Sequence, residues 1–360
     1  MRFQETVLSI GTGFIYKHAE QYFIITAWHN VTGLHSETLE NLGCNGGIPD
    51  NIVVNISVSY PGFGVIKMPV TLPLSDEEKS LFYIHPKNWP RIDVVAIPFD
   101  PYEEHNSELH LSTGEIRKTK KPLLMPMANG TAEDTQAEIC PVQQYFVPDK
   151  GVICQWLNSV DVTEELFIPG YPNNVQDFYA QPVWKRATIA SSVQAGWNRE
   201  PKFLIDSASK SGMSGAPVLY FSSKGIVQIH GTSHYYGQEV AILAGVYVGR
   251  LGIEGEADPQ IGTVWNQSVI DEIIQGQCFE RLPFEIQLSA DELLKNALKA
   301  LEGSSRHELE NVKNPDLPSR FYVRSSLLEQ IGSRASPKRA LEAVLNAAEI
   351  YQGPFSPDEN

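Results

Sequence analysis

Short stretches rich in Val, Ile, Phe, Tyr and Thr dominate the 360-residue chain, and Gly, Pro, Asn and Asp separate them. Such stretches are typical of β-strands, and turn residues at this spacing favour short connections between antiparallel neighbours. Long amphipathic helices are missing between the stretches, so alternating β–α units are not expected. Examples are "YFIITAW", "NIVVNISVSY", "VVAIPF", "ELFIPGYP" and "VAILAGVYVG". The pattern therefore predicts antiparallel barrels or sandwiches over most of the chain.

The character of the sequence changes after about residue 268. The segment 268–276 predicts a short helix with Gly276 as its C-terminal cap. Segments 289–303 and 336–353 each begin with an N-cap serine and end at a glycine, so they predict two further helices. We expect a helical extension over residues 285–360, with a loop between its helices.

The charge of the chain excludes one class of partner. A net charge of −15 and an isoelectric point near 5.1 argue against nucleic-acid binding, which needs clustered Lys and Arg. No apolar run approaches the roughly 20 residues that cross a bilayer. The opening "MRFQETVLSIGTGF" lacks the apolar core of a signal peptide. We therefore expect a cytoplasmic protein without a membrane segment.

Neither cysteines nor histidines form a recognisable metal motif. Cys44, Cys140, Cys154 and Cys278 are far apart and include no C-x-x-C pair. We expect mostly buried free thiols in a reducing compartment, and the sequence leaves one disulfide as an alternative. His230 and His234, in "HGTSH", lie in strand and turn sequence without a third ligand nearby, so surface histidines are favoured over a zinc site.

Three polar residues at the ends of strand-like segments are candidates for catalysis. His29 follows "YFIIT", Asp93 precedes "VVAIPF", and Ser214 lies in "SASKSGMSGAPV" ahead of "VLYF". Each has a simple structural interpretation: a core histidine with satisfied hydrogen bonds, an aspartate capping a turn, and a flexible surface turn. A carboxylate entering a buried strand is costly without a partner, however, and it could accept the Nδ1–H of a histidine.

The glycines around Ser214 suggest a bent loop. Gly212 permits unusual backbone dihedrals, which would let the N–H groups of Gly212 and Ser214 converge on one point. Converging N–H groups of this kind form the oxyanion hole of acyl-transfer enzymes. Gly215 would leave room for the approaching substrate.

Taken together, these segments resemble the trypsin-like (chymotrypsin-fold) serine peptidases of the bacterial intracellular type. The resemblance spans residues 7 to about 250 and rests on "GTGFIY", "ITAWHNV", "DVVAI", "FIPGYPNNV" and "IDSASKSGMSGAPV". It implies a mainly β fold of two antiparallel six-stranded β-barrels, chymotrypsin-like, over residues 1–125 and 126–284. Residues 285–360 match no family pattern, and they are the segment in which we expect the helical extension.

The resemblance implies a serine endopeptidase. His29 would be the general base, Asp93 its orienting carboxylate and Ser214 the nucleophile, with Gly212 and Ser214 donating to the oxyanion. No metal or organic cofactor is implied, and the partner is a protein or peptide substrate. Trp28 and Asn30 depart from the family pattern beside the histidine, as Ala216 does after the nucleophile; we expect these changes to be tolerated.

The same resemblance suggests a substrate pocket. Ala208 would form its base, and Tyr247, Val248 and Gly249 would form its wall. Because Ala208 carries no charge and Val248 makes the pocket shallow, we expect a small or medium uncharged residue before the scissile bond.

Two other functional classes were weighed. An α/β-hydrolase is disfavoured, because Pro217 and a strand follow Ser214 where that fold needs a helix, and because its acid and histidine follow the serine. A latent protease, or a non-catalytic peptidase-like scaffold, stays open. In either case residues 285–360 could dock a regulatory protein or gate the site.

Overall fold

The computed structural model describes the chain in segments. These are residues 1–36, 49–60, 64–76, 79–88, 92–110, 115–124, 137–145, 150–177, 180–251 and 260–281, with residues 42, 62, 312, 313, 320 and 321 besides. Of the C-terminal extension predicted over 285–360, the structure describes only two short paired strands, and the two predicted helices lie outside the described residues.

The described residues are mainly strand. In chain order the strands are β1 Arg2–Phe3, β2 Thr6–Val7, β3 Gly13–His18, β4 Gln21–Thr26, β5 Asn51–Tyr60, β6 Gly64–Pro73, β7 Lys79–Ile84, β8 Val95–Phe99, β9 His105–His110, β10 Ile116–Lys121, β11 Glu138–Ile139, β12 Glu165–Gly170, β13 Val183–Ile189, β14 Lys202–Asp206, β15 Ala216–Ser222, β16 Ile226–Ile229, β17 Thr232–Tyr235, β18 Val240–Arg250, β19 Ile261–Asn266, β20 Cys278–Arg281, β21 Val312–Lys313 and β22 Arg320–Phe321. The α-helices are α1 Trp28–Thr32, α2 Lys150–Leu157 and α3 Ser268–Gly276, and 3₁₀ turns cover Val142–Tyr145 and Pro172–Asn174.

The first half of the chain, together with β20 from near the end of the described residues, forms what we call the N-terminal unit, two antiparallel sheets that enclose one apolar core. One sheet has the order β10-β9-β6-β5-β1-β2, with β11 also on β5, and the other has the order β20-β7-β8-β4-β3. Side chains alternate between half-buried and fully buried positions along β7, "KSLFYI", as expected for a strand with one face on the apolar core. Ile56, Val70, Ile84 and Val95 lie in the core between the sheets.

The second half forms a closed barrel, called here the C-terminal barrel. Its strand order is β12-β13-β14-β19-β18-β15, and all of its pairs are antiparallel. Leu166, Phe203, Val218 and Ile242 are fully buried inside it. A closed barrel has no free sheet edge, so its strands hold a fixed rim for the loops between them. The predicted mainly β class with a double-barrel arrangement is confirmed, but among the described strands only the C-terminal barrel is closed and six-stranded: the N-terminal unit consists of one seven-stranded and one five-stranded sheet. The domain bounds stay predictions.

A third apolar cluster joins the two units. Phe23 and Val94 from the N-terminal unit pack in it with Leu243 and Trp265 from the C-terminal barrel, and helix α3 contributes Ile270. The short helix predicted at 268–276 is confirmed, but its cap is not Gly276. Gln277 takes the left-handed conformation at φ +48°, and Gln277 N–H donates to the carbonyl of Ile273. The chain then returns through β20 to pair with β7.

Candidate active site

His29 lies on a short helix that begins where a buried strand ends. Strand β4 stops at Thr26, and α1 spans Trp28 to Thr32 before Gly33 ends it in the left-handed conformation. Trp28 is fully buried, and its Nε1–H donates to the carboxylate of Glu280 at 3.2 Å. This contact ties the histidine-bearing helix to β20, so its position does not depend on the preceding strand alone.

Asp93 lies beside His29 because their strands are neighbours. β4 pairs with β8 in antiparallel register, with Thr26 opposite Val95. The residues that follow one strand and precede the other therefore meet at the same edge of the sheet. The carboxylate of Asp93 accepts two hydrogen bonds from His29, one from the backbone N–H at 2.9 Å and one from the ring Nδ1–H at 2.7 Å. A carboxylate only accepts, so Nδ1 carries the ring proton, and Nε2 of the neutral ring has a lone pair.

Ser214 lies in the loop that leads into β15. Its Oγ donates to the backbone carbonyl of Val248 at 3.1 Å. Among the described contacts, no hydrogen bond joins Ser214 to His29. The structure thus brings His29 and Asp93 into direct contact, whereas the hydroxyl of Ser214 is hydrogen-bonded to the backbone of the neighbouring strand β18.

Two backbone N–H groups of this loop are open. Within the described part of the chain, neither Gly212 N–H nor Ser214 N–H donates to a protein acceptor, although the neighbouring N–H groups of Met213 and Gly215 do. Gly212 has φ +92°, and a Cβ there would lie 2.4 Å from the carbonyl oxygen of Tyr171. The unusual dihedrals predicted for Gly212 are therefore present.

Gly215 serves a different purpose from the one expected. It has φ +87°, and a Cβ would lie 2.1 Å from the carbonyl oxygen of Thr12 and 2.4 Å from Thr26 Oγ1. Its missing side chain makes room for the backbone of the N-terminal unit, so the expectation that it leaves space for substrate was wrong. The glycine lets the two units approach closely at the loop.

The residues predicted to line a substrate pocket lie in different surroundings. Ala208 is exposed, whereas the side chain of Tyr247 is buried in the core of the C-terminal barrel. Tyr247 and Ser209 share a hydrogen bond between their hydroxyl oxygens, and burial raises the pKa of the Tyr247 phenol. Val248 is 9% exposed, and Gly249 is half-buried at φ +146°. Exposed Ala208 and core-buried Tyr247 thus do not face a common open space, and the pocket that these residues were expected to line stays a prediction.

Several contacts at this site were missed by sequence reasoning. Asn30, read as a tolerated departure, donates from Nδ2 to the carbonyl of Ser214 at 2.8 Å. Thr12 donates from Oγ1 to the carbonyl of Gly212 at 2.7 Å. The signal for Thr12 is its place in "GTGF", but no local pattern reveals a contact that spans about 200 residues.

The remaining polar candidates are separate from this site. Cys140, Cys154 and Cys278 are free thiols, and Cys44 lies outside the described residues. Only Cys278 of these three is buried, so the expectation of mostly buried thiols was wrong for exposed Cys154. In the segments that the structure describes, no group of three or more His, Cys, Asp or Glu could hold a metal ion. None of the helices described there is long and apolar enough to cross a membrane.

Comparison with known proteins gives a distant structural likeness. No protein-family model and no curated protein matches the sequence. Among solved structures, the inactive form of the Rv3671c protease of M. tuberculosis has 15% identity and a TM-score of 0.27, covering 74% of this chain and 84% of its own. The active form has 14% identity and a TM-score of 0.28, covering 74% and 72%. Likeness at this level assigns neither an activity nor site residues to the present chain.

Proposed function

We propose that the protein is a serine endopeptidase with His29, Asp93 and Ser214 as its catalytic residues. The observation that carries the proposal is the two-point contact of Asp93 with His29, which fixes both the ring orientation and the tautomer. The open N–H groups of Gly212 and Ser214 support it, since they offer two donors beside the nucleophile.

The reaction follows from these positions. Ser214 Oγ gives up its bond to the carbonyl of Val248 and turns to His29, where Nε2 takes the hydroxyl proton as Oγ attacks a peptide carbonyl carbon. The carbonyl oxygen becomes an oxyanion between the N–H groups of Gly212 and Ser214. His29 then gives the proton to the leaving amine, and the C–N bond breaks. Water attacks the acyl-enzyme by the reverse sequence and releases the acid.

The substrate is a protein or peptide with a small or medium uncharged residue before the scissile bond. This preference is an expectation from the sequence, where Ala208 carries no charge and Val248 makes the implied pocket shallow. The trypsin-like, bacterial and cytoplasmic character of the enzyme, and a regulatory partner at residues 285–360, belong to the proposal as expectations from the sequence.

A second candidate is a latent or non-catalytic peptidase-like scaffold. The observation that favours it is the hydroxyl of Ser214, which donates to Val248 and not to His29. In that state the nucleophile is not activated, and a partner that moved β18 or the loop would be needed to release it.

A fluorophosphonate probe separates the two candidates. Such a probe forms a bond only with an activated serine, so the endopeptidase predicts labelling of the full chain that Ser214→Ala abolishes and His29→Ala strongly slows. Hydrolysis of a peptide library by the same preparations gives the cleavage preference. Absence of labelling and of hydrolysis in the wild-type chain would contradict the endopeptidase and leave the scaffold.

A further inference from the structure

We propose that Asn30 is a positioning residue that, together with Thr12, clamps the nucleophile loop across the seam between the two units. The inference rests on the proposed function and adds a residue to it. Asn30 is 5% exposed and Thr12 is 4% exposed, so both act in the protein interior.

The N-terminal unit supplies three donors to two loop carbonyls. The carbonyl of Ser214 accepts from Thr12 N–H at 2.8 Å and from Asn30 Nδ2 at 2.8 Å. The carbonyl of Gly212 accepts from Thr12 Oγ1 at 2.7 Å. The nucleophile and the glycine of the oxyanion hole are thus held through their backbones by the unit that carries His29.

The other two carbonyls of the loop are also satisfied. Asn173 N–H donates to the carbonyl of Ser211 at 2.7 Å, and Ala216 N–H donates to that of Met213 at 3.0 Å. A peptide group is planar, so a fixed carbonyl also fixes the direction of the N–H on the next residue. The carbonyls of Ser211 and Met213 therefore fix the N–H groups of residues 212 and 214, which point away from these carbonyls and stay open. The clamped carbonyls of Gly212 and Ser214 fix in the same way the N–H groups of residues 213 and 215, which donate within the protein.

Chemistry fixes the orientation of the Asn30 amide. Thr26 Oγ1 donates its only hydrogen to the carbonyl of Thr12 at 2.7 Å, so it can only accept from Asn30, at 2.9 Å. The carbonyl of Ser214 also only accepts. Both contacts need the NH₂ end of the amide, and its two hydrogens are both used. An isosteric group without these hydrogens cannot replace it.

Gly11 makes room for this amide. A Cβ at Gly11 would lie 2.5 Å from Nδ2 of Asn30 and 2.7 Å from its Cγ. Side-chain amides packed this closely against a backbone have little freedom to turn. The glycine before Thr12 therefore belongs to the same arrangement as the clamp.

The clamp couples the base to the nucleophile. His29 and Asn30 are consecutive residues of α1, and Asn30 contacts the carbonyl of the nucleophile itself. One short helix thus sets the position of the imidazole and holds the serine backbone. Misplacement of reacting groups by about 1 Å can cost about 10²-fold in rate, so loss of the clamp should act on chemistry more than on substrate binding.

Two variants of Asn30 test the clamp by fluorophosphonate labelling and peptide kinetics on the full chain. Asn30→Leu removes both donors and should slow fluorophosphonate labelling about 10- to 100-fold. In peptide kinetics it should lower kcat and leave KM unchanged. Asn30→Asp keeps the shape of the side chain but places a carboxylate oxygen where the amide NH₂ donated to the carbonyl of Ser214. Burial raises a carboxyl pKa, so the labelling rate of this variant relative to wild type should rise as pH falls from about 7 to about 5, where the protonated carboxyl can donate.

Thr32→Val is the matched control on the same helix. Thr32 is buried, and its Oγ1 bonds Trp28 and Leu34 but not the loop. We expect it to lower stability and to leave the labelling rate within about twofold of wild type. Equal rates for Asn30→Leu and Thr32→Val, or a pH-independent ratio for Asn30→Asp, would overturn the clamp.

A double-mutant cycle with Gly11 gives a second readout. Gly11→Ala should slow labelling in the wild-type background, because the added Cβ displaces the Asn30 amide. In the Asn30→Ala background the same change should have little further effect, since the space is then free. Additive effects of the two changes would show that Gly11 and Asn30 act separately and would contradict the arrangement.

Amide hydrogen exchange distinguishes failure of the clamp from failure of the proposed function. Exchange of the peptide that covers residues 208–218 should be faster in Asn30→Leu than in Thr32→Val, whether or not the protein is an enzyme. If wild type is not labelled but exchange differs, the function fails and the clamp stands. If wild type is labelled but neither exchange nor rate differs between the two variants, the clamp fails alone.

Discussion

Asp93 contacts His29 twice, through the ring Nδ1–H at 2.7 Å and through the backbone N–H at 2.9 Å. The second contact comes from the peptide and not from the ring, so the carboxylate holds the helix as well as the imidazole. Both oxygens of Asp93 are used, and the side chain is 9% exposed.

Asp93→Asn should therefore lower the rate of fluorophosphonate labelling by about 10³- to 10⁴-fold. An amide in place of the carboxylate presents an N–H to the ring or to the backbone, which favours the wrong tautomer of His29. Asp206→Asn, at an exposed aspartate, is the control and should be neutral. A loss smaller than about tenfold would contradict the orienting role of Asp93.

Gly212→Ala should lower kcat for peptide hydrolysis by about 10²- to 10³-fold, the usual cost of one lost oxyanion donor. Its Cβ would collide with the carbonyl oxygen of Tyr171 and turn the loop. Gly231→Ala is the matched control, because Gly231 also has a positive φ, +76°, but has open space around its Cβ position. Both variants should lose stability from backbone strain, Gly212→Ala the more because of its collision with Tyr171, and only Gly212→Ala should lose activity.

Tyr247→Val tests whether the Tyr247 ring limits the substrate pocket, as the sequence resemblance implies. If it does, the smaller side chain should shift cleavage towards larger residues before the scissile bond, because it leaves space next to Ser209. Tyr247→Phe keeps the ring and should keep the wild-type preference. Cleavage-site profiles from a peptide library, compared among the three proteins, give the readout. An unchanged profile in a folded Tyr247→Val protein would show that the ring does not limit the pocket.

Tyr16 should make the fold sensitive to alkaline pH. Burial and the nearby carboxylate of Asp271 raise the pKa of its phenol well above the usual value near 10. The unfolded chain releases this proton first, so the stability from Tyr16 is complete below pH 10 and falls above it, by about 1.4 kcal/mol per pH unit. Tyr16→Phe should flatten this fall in urea unfolding measured from pH 9 to 11, whereas Tyr102→Phe, at an exposed tyrosine, should not.

Removal of residues 285–360 tests the expected docking or gating role of the C-terminal extension. We expect the shortened chain to differ from the full chain in its labelling rate or in the proteins that it retains from a lysate. The comparison is repeated with Ser214→Ala in the full and in the shortened chain. A protein that only the full Ser214→Ala chain retains is a partner of the extension, whereas a protein that both chains retain is a candidate substrate. No change in either measurement would contradict the role.

Local sequence patterns were enough to find the strands near the site and the three candidate residues. The apolar runs in "YFIITAW" and "VVAIPF" place β4 and β8 correctly, because burial of a strand leaves a direct imprint on residue choice. His29 and Asp93 were found because His29 follows one such run and Asp93 precedes another. The cap of α3 was misplaced by one residue, since the left-handed conformation fell on Gln277, a residue without the preference of glycine for it.

By itself, the sequence determined the mainly β class and the positive φ of Gly212 beside Ser214, because strand periodicity and glycine conformation are local properties. Only the tertiary structure decided that Asn30 reaches the carbonyl of Ser214, that Gly215 faces Thr12 and that the Tyr247 ring fills the space beside Ser209. These contacts join residues 38 to more than 200 positions apart, and those of Asn30 and Gly215 depend on how the two units pack at the seam. No pattern within one segment records that packing.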